Sequence, residues 1–214
     1  MTYFFVLMPP DWTDADRYLC RPIVGNRRAM QVPWLAIAAG VKNGNFKFVS
    51  SQNLDRDVAQ QAIAAATAQQ ESQAVSWDTV EKRGLIFKKP YLLRAIVPGQ
   101  TAPTPTPMDD LSCEQLVSPT AMLAASNTLS APSLMAIIPK RGWLLVCPGR
   151  VDEFPKLAQM HDLATQMMAD EDRDRVLGSD VFFWENGTLT GQAVRTDSSG
   201  YVSLAQPQSS AWSV

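Results

Sequence analysis

His161 is the only histidine among 214 residues, and the three cysteines, Cys20, Cys113 and Cys147, lie far apart. His-rich zinc sites and two-histidine facial triads need several imidazoles, so those chemistries are excluded. The pair His161-Asp162 has the order of a histidine-aspartate phosphohydrolase motif without the further histidines such a site requires. At helical spacing His161 shares a face with Leu157, Ala164 and Met168, which reads as a packed or half-exposed side chain. Cys147-Pro148-Gly149-Arg150 offers a thiol beside an arginine that can lower its pKa. A phosphatase-type loop needs a longer phosphate cradle ahead of the arginine, and Pro-Gly here reads as punctuation ending a strand. No G-x-S-x-G elbow, P-loop or dinucleotide fingerprint occurs. The sequence therefore assigns no catalytic residue, no metal ligand and no cofactor. Paired carboxylates stay open, because glycosidase-type acids come from anywhere in a fold.

Residue types suited to binding are easier to find. Six tryptophans are present, at 12, 34, 77, 143, 184 and 212. Trp143 follows Arg141 in one hairpin of the second half, and Trp184 lies in another. Such rings either fill a sheet-helix interface or bind a partner through an exposed face. Between 152 and 175, seven acidic and three basic residues leave a local charge of −4. Asp152 and Glu153 suit the positive end of a helix, whereas Asp170, Glu171 and Asp172 fall at its C-terminal end, where the dipole disfavours them. Those three read as a solvated loop or as a surface for a basic partner. Arginines 17, 21, 27 and 28 cluster similarly, as a solvated face or a dock for an acidic group.

Hydrophobic content of 46% with 19% charged residues is that of a globular protein. A net charge of −2 without a large basic block argues against nucleic-acid binding and polybasic membrane attachment. The apolar runs are too short to cross a bilayer, so no membrane insertion is expected. The start, 1-MTYFFVLMPPDW-12, lacks a basic n-region and cleavage site and reads as a first strand. An odd number of scattered cysteines suits a reducing cytoplasm.

The elements that must position these residues fall into two halves, 1–100 and 108–214, joined by the Pro/Thr segment 101–107. Alternating prolines favour an extended connector there. In the first half, 33–41 and 45–50 read as strands about an Asn43-Gly44 turn. A helix capped by Asn53 or Asp55 runs to about 74 with Val58, Ala62, Ala65 and Ala66 on one face. Residues 85–97 read as two strand runs broken at Lys-Lys-Pro. In the second half, Ser118-Pro119 starts a helix to about 129. A hairpin over 134–147 follows, with Ile137, Leu144 and Val146 buried and Lys140 and Arg141 at its exposed tip. A helix over 152–170 carries Leu157, Met160, Ala164, Met167 and Met168, and a second hairpin turns at Asn186-Gly187 before a last strand at 201–205. The expected class is α+β, with antiparallel sheets, helices on one face and two similar hairpin–helix–strand halves.

Residues 118–195 resemble the YtpQ-like family of uncharacterised bacterial proteins. The resemblance rests on the helix 118-SPTAMLAASNTL-129, the strand 134-LMAIIP-139, the turn Lys140-Arg141-Gly142, the strand 143-WLLV-146 and 181-VFFWENGTL-189. That family has an acidic residue where Gly142 stands, and it implies a fold without implying an activity. The functional expectation is a non-catalytic protein-binding or adaptor module with an unidentified protein partner. The alternatives are a metal-assisted hydrolase using carboxylates and a structural or assembly component.

Overall fold

The computed structural model describes residues 2–24, 32–40, 46–80, 92–97, 111–169, 176–195, 201–202 and 212. Strand β1 (Tyr3–Met8) pairs antiparallel with β3 (Trp34–Gly40). The other edge of β3 is shared by β2 (Cys20–Pro22) and β4 (Phe46–Phe48), giving a four-stranded sheet. Helix α1 (Arg56–Glu71) starts where the Asp55 carboxylate accepts the Asp57 amide at 2.8 Å, the capping role read from the sequence. Its buried stripe is Ala59, Ala62, Ala66 and Gln70, whereas Val58 and Ala65, expected on that face, are exposed. Small alanines let the helix lie close on the sheet, and this packing rotates Val58 outward.

Two strands of the first half, β5 (Ser76–Thr79) and β6 (Leu93–Ile96), join the second sheet. That sheet also holds the hairpin β7 (Ser133–Ile137) and β8 (Leu145–Pro148), the hairpin β9 (Val181–Glu185) and β10 (Thr188–Arg195), and β11 (Tyr201–Val202). Its order is β11-β10-β9-β7-β8-β6-β5, with every pairing antiparallel. The Asn186-Gly187 turn has φ of 49° and 77°. Both values are positive, as a two-residue turn matched to strand twist requires.

Helix α2 (Pro119–Leu129) is capped by Ser118, whose hydroxyl accepts the Ala121 amide at 3.2 Å, with Pro119 at its first position. Helix α3 spans Phe154–Met168. Strand alternation decides which helix each residue meets. Leu134, Ala136, Val146, Phe182 and Trp184 join Met122, Ala125 and Leu129 of α2 in a core that continues through α1 to Phe5, Leu7, Leu35 and Ile37 of the first sheet. Met135, Ile137, Leu145, Cys147, Val181 and Phe183 face α3 through Leu157, Met160 and Ala164. The chain is thus α+β, but helices on one face describes only the first sheet. The second carries α2 on one face and α3 on the other, because its strands are apolar at both parities.

The outer face of the first sheet has aromatic rings instead of a helix. Trp12 stacks on Tyr18 with centroids 5.6 Å apart, both tilt against Phe48, and Phe48 meets Phe46 edge-on at 5.3 Å. These half-buried rings surround Phe4, Ala36, Ala38 and Cys20, which are buried. The connector 101–107 and the Asn43-Gly44 turn lie outside the described residues.

Candidate functional site

The β7–β8 hairpin forms as expected, and Ile137, Leu144 and Val146 are buried. Its tip is not a free surface: Lys140 and Arg141 are half-buried, and Arg141 Nη2 lies 3.1 Å from Met8 Sδ on β1. The tip reaches the first sheet, so packing between the sheets covers what sequence alone leaves in solvent. Trp143 is also half-buried, with the Arg94 guanidinium 3.6 Å above its ring and Lys140 5.5 Å away. Trp184 is 3% exposed and belongs to the central core. Asp170, Glu171 and Asp172 fall outside the described residues.

Close to the tip lies a buried carboxyl, Glu114, in the short 3-10 helix Cys113–Val117. Its Oε1 accepts the Leu7 amide at 3.0 Å, and its Oε2 accepts the Cys113 thiol at 2.9 Å. The Gln70 side-chain amide of α1 donates to the Glu114 carbonyl. Burial raises the Glu114 carboxyl, while the Cys113 and Leu7 hydrogen bonds and the charge of Arg141 act against that rise. The Cys113 thiol is pushed well up, first by burial and then by Glu114. This cluster ties β1, α1 and the hairpin tip together and presents no reactive group.

Cys147 is fully buried, and burial pushes its thiol up to about 12, against the pull of Lys156. A thiol so held carries almost no thiolate at neutral pH. The nucleophile reading is therefore removed. His161 is buried on α3 and meets Ser179 and Thr165, as a packed histidine does. Among the described residues no group of three or more His, Cys, Asp or Glu gathers as metal ligands do.

The structure opens a cleft elsewhere, of about 180 Å³, between the turn after β8 and the end of the β9–β10 hairpin. Gly149, Arg150 and Val151 line one side, and Phe183, Glu185 and Thr190 belong to the other. A bulge at Thr190 makes this shape, since Leu189 pairs with Trp184 but Gly191 pairs with Phe183. The Thr190 hydroxyl donates to the Phe183 carbonyl at 3.2 Å. Arg150 and Glu185 stand exposed at the rim. Val151 is 38% exposed, and Phe154, one helical turn further on, is 59% exposed. Small-molecule sites usually enclose ~300–1,000 Å³. This cleft is smaller and suits a single side chain.

Sequence reasoning met Arg150 only as the arginine beside Cys147 and missed Val151, Phe154, Glu185 and Thr190. The Pro148-Gly149 punctuation marked the loop, but nothing in the sequence marked the bulge. No family model, curated protein or solved structure matches the chain. Among the described residues, no helix is long and apolar enough to cross a membrane.

Proposed function

We propose that this chain is a non-catalytic protein-binding module, an adaptor whose contact surface is the cleft between Arg150 and Glu185. The observation that carries this reading is the exposure of Val151 in the lining of that cleft, with exposed Phe154 three residues further along the chain. An exposed apolar side chain at a recess of side-chain size is how protein interfaces seat their anchors. The rim carries Arg150, which pairs with Asp152 at 3.4 Å, and Glu185 opposite, which suits a partner segment with an apolar side chain flanked by polar groups. The resemblance of residues 118–195 to the YtpQ-like family brings no activity with it. The burial of all three cysteines as thiols supports a reducing, cytoplasmic setting, and the low net charge supports a protein partner over a nucleic acid.

The test is site-specific photocrosslinking in the producing cell. A photoreactive residue in place of Val151 is expected to give a discrete protein adduct, while one at exposed Ala65 on α1 gives none. Equal labelling at both positions defeats the cleft as the contact surface. A melting temperature raised by magnesium or manganese would favour a carboxylate-based hydrolase over an adaptor.

A further inference from the structure

Residues 176–180 lead from the β7–β8 tip into β9. Val176 bridges to Lys140, and the Leu177 amide donates to the Pro139 carbonyl at 3.0 Å. The last two residues each take a side-chain partner from a different layer. Ser179 Oγ is 3.1 Å from His161 Nε2 on α3, and Asp180 accepts from the side-chain amide of Gln192 on β10. The Thr165 hydroxyl donates to the His161 carbonyl at 3.0 Å and lies 3.4 Å from its Nδ1.

Asp180 is 8% exposed and Gln192 1% exposed. A carboxylate removed from water needs a cation or several donors to stay charged. Glu114 accepts from one backbone amide, Leu7, and one thiol, Cys113, and has a nearby arginine. Among the described residues, the side-chain partner of Asp180 is one neutral amide. The groups around it are Gln192 from β10 and, through Ser179, His161 and Thr165 from α3. No charged side chain among the described residues acts on its carboxyl.

We propose that Asp180 is a pH-sensitive latch: as the neutral acid it sits dry between segment 176–180 and β10, and on ionising its buried charge draws in water and loosens that packing and the start of β9, against the hydrogen bond from Gln192. Burial raises the carboxyl from 3.8 to about 7, with the Gln192 hydrogen bond acting the other way. The folded state therefore holds this proton more tightly than the unfolded chain. Stability from this group is complete below the unfolded value, is lost as pH rises from 3.8 through about 7, and then levels.

The experiment compares wild type, Asp180→Asn and His161→Gln by melting temperature and by hydrogen-exchange protection of β9, from about pH 5 to about pH 8. Wild type is expected to lose melting temperature as pH rises, with β9 protection falling up to about tenfold per pH unit below neutrality. D180N loses less than wild type over this range, keeping only the decline that Glu114 contributes, and H161Q keeps the wild-type profile. Parallel profiles for wild type and D180N overturn the latch, as does a flat H161Q profile, which assigns the titration to the imidazole. Should D180N not fold, carbon-detected titration of the wild-type Asp180 carboxyl decides. A midpoint near 7 supports the latch, and one near 4 overturns it.

Discussion

The two sheets solve the covering of a second face in different ways. In the second sheet α2 and α3 lie on opposite faces, and the strands β7, β8 and β9 are apolar at successive positions. In the first sheet α1 covers one face, and a layer of half-buried rings from Trp12, Tyr18, Phe46 and Phe48 covers the other. A helix excludes water from a long strip of sheet, whereas a ring cluster leaves each ring with one wet side. The second sheet should consequently hold the more costly positions. Between the sheets the core is continuous, running from Phe5 and Ile37 through α1 and α2 to Phe182.

Truncating one ring on each side breaks or sharpens this difference. Phe182→Ala removes a side chain that is 1% exposed from the shared core and should cost about 3–5 kcal/mol. Phe48→Ala, in the half-buried ring layer, should cost roughly half of that or less, since part of its surface is already in water. Chemical denaturation measures both, and each variant should shift one transition because the core spans both sheets. Equal losses would mean that the ring layer is as dry as the helix-covered face.

The contact between the sheets gives the next effect. Glu114→Ala leaves the Leu7 amide without its acceptor in a buried place, a loss of about 1–3 kcal/mol. Glu114→Gln keeps an acceptor at that position and should cost less, and it should gain on wild type as pH rises, since burial disfavours the carboxylate. If Ala and Gln are equally destabilising, the Leu7 hydrogen bond is not what Glu114 contributes. The smallest effect is expected at the α2 cap, where Ser118→Ala should cost about 1 kcal/mol, measured as the same shift in denaturation midpoint. Asp at position 118 should restore it.

What the sequence determined by itself is local. Ser118 then Pro119 set the start of α2, Asp55 set the start of α1, and Asn186-Gly187 set a turn that needs positive φ. These signals work because a cap or a tight turn is satisfied by atoms within a few residues. The hairpin 134–147 was legible for the same reason, and so was the burial of His161 on the stripe of α3. The candidate cleft was not. Phe154 sits three residues before Leu157, a spacing that belongs to the buried stripe, yet it is 59% exposed while Leu157 is 1% exposed. Periodicity names a face, but only the neighbouring layer decides how far along the helix that face is covered. Trp184 shows the converse, since an indole read as a possible partner contact lies inside the core because β9 has an apolar layer on each side. The crossing of β5 and β6 into the second sheet, the docking of Arg141 against Met8 and the isolation of Asp180 beside Gln192 are likewise tertiary. Each depends on residues tens of positions apart or on the solvent they jointly exclude, and a local pattern carries no record of either.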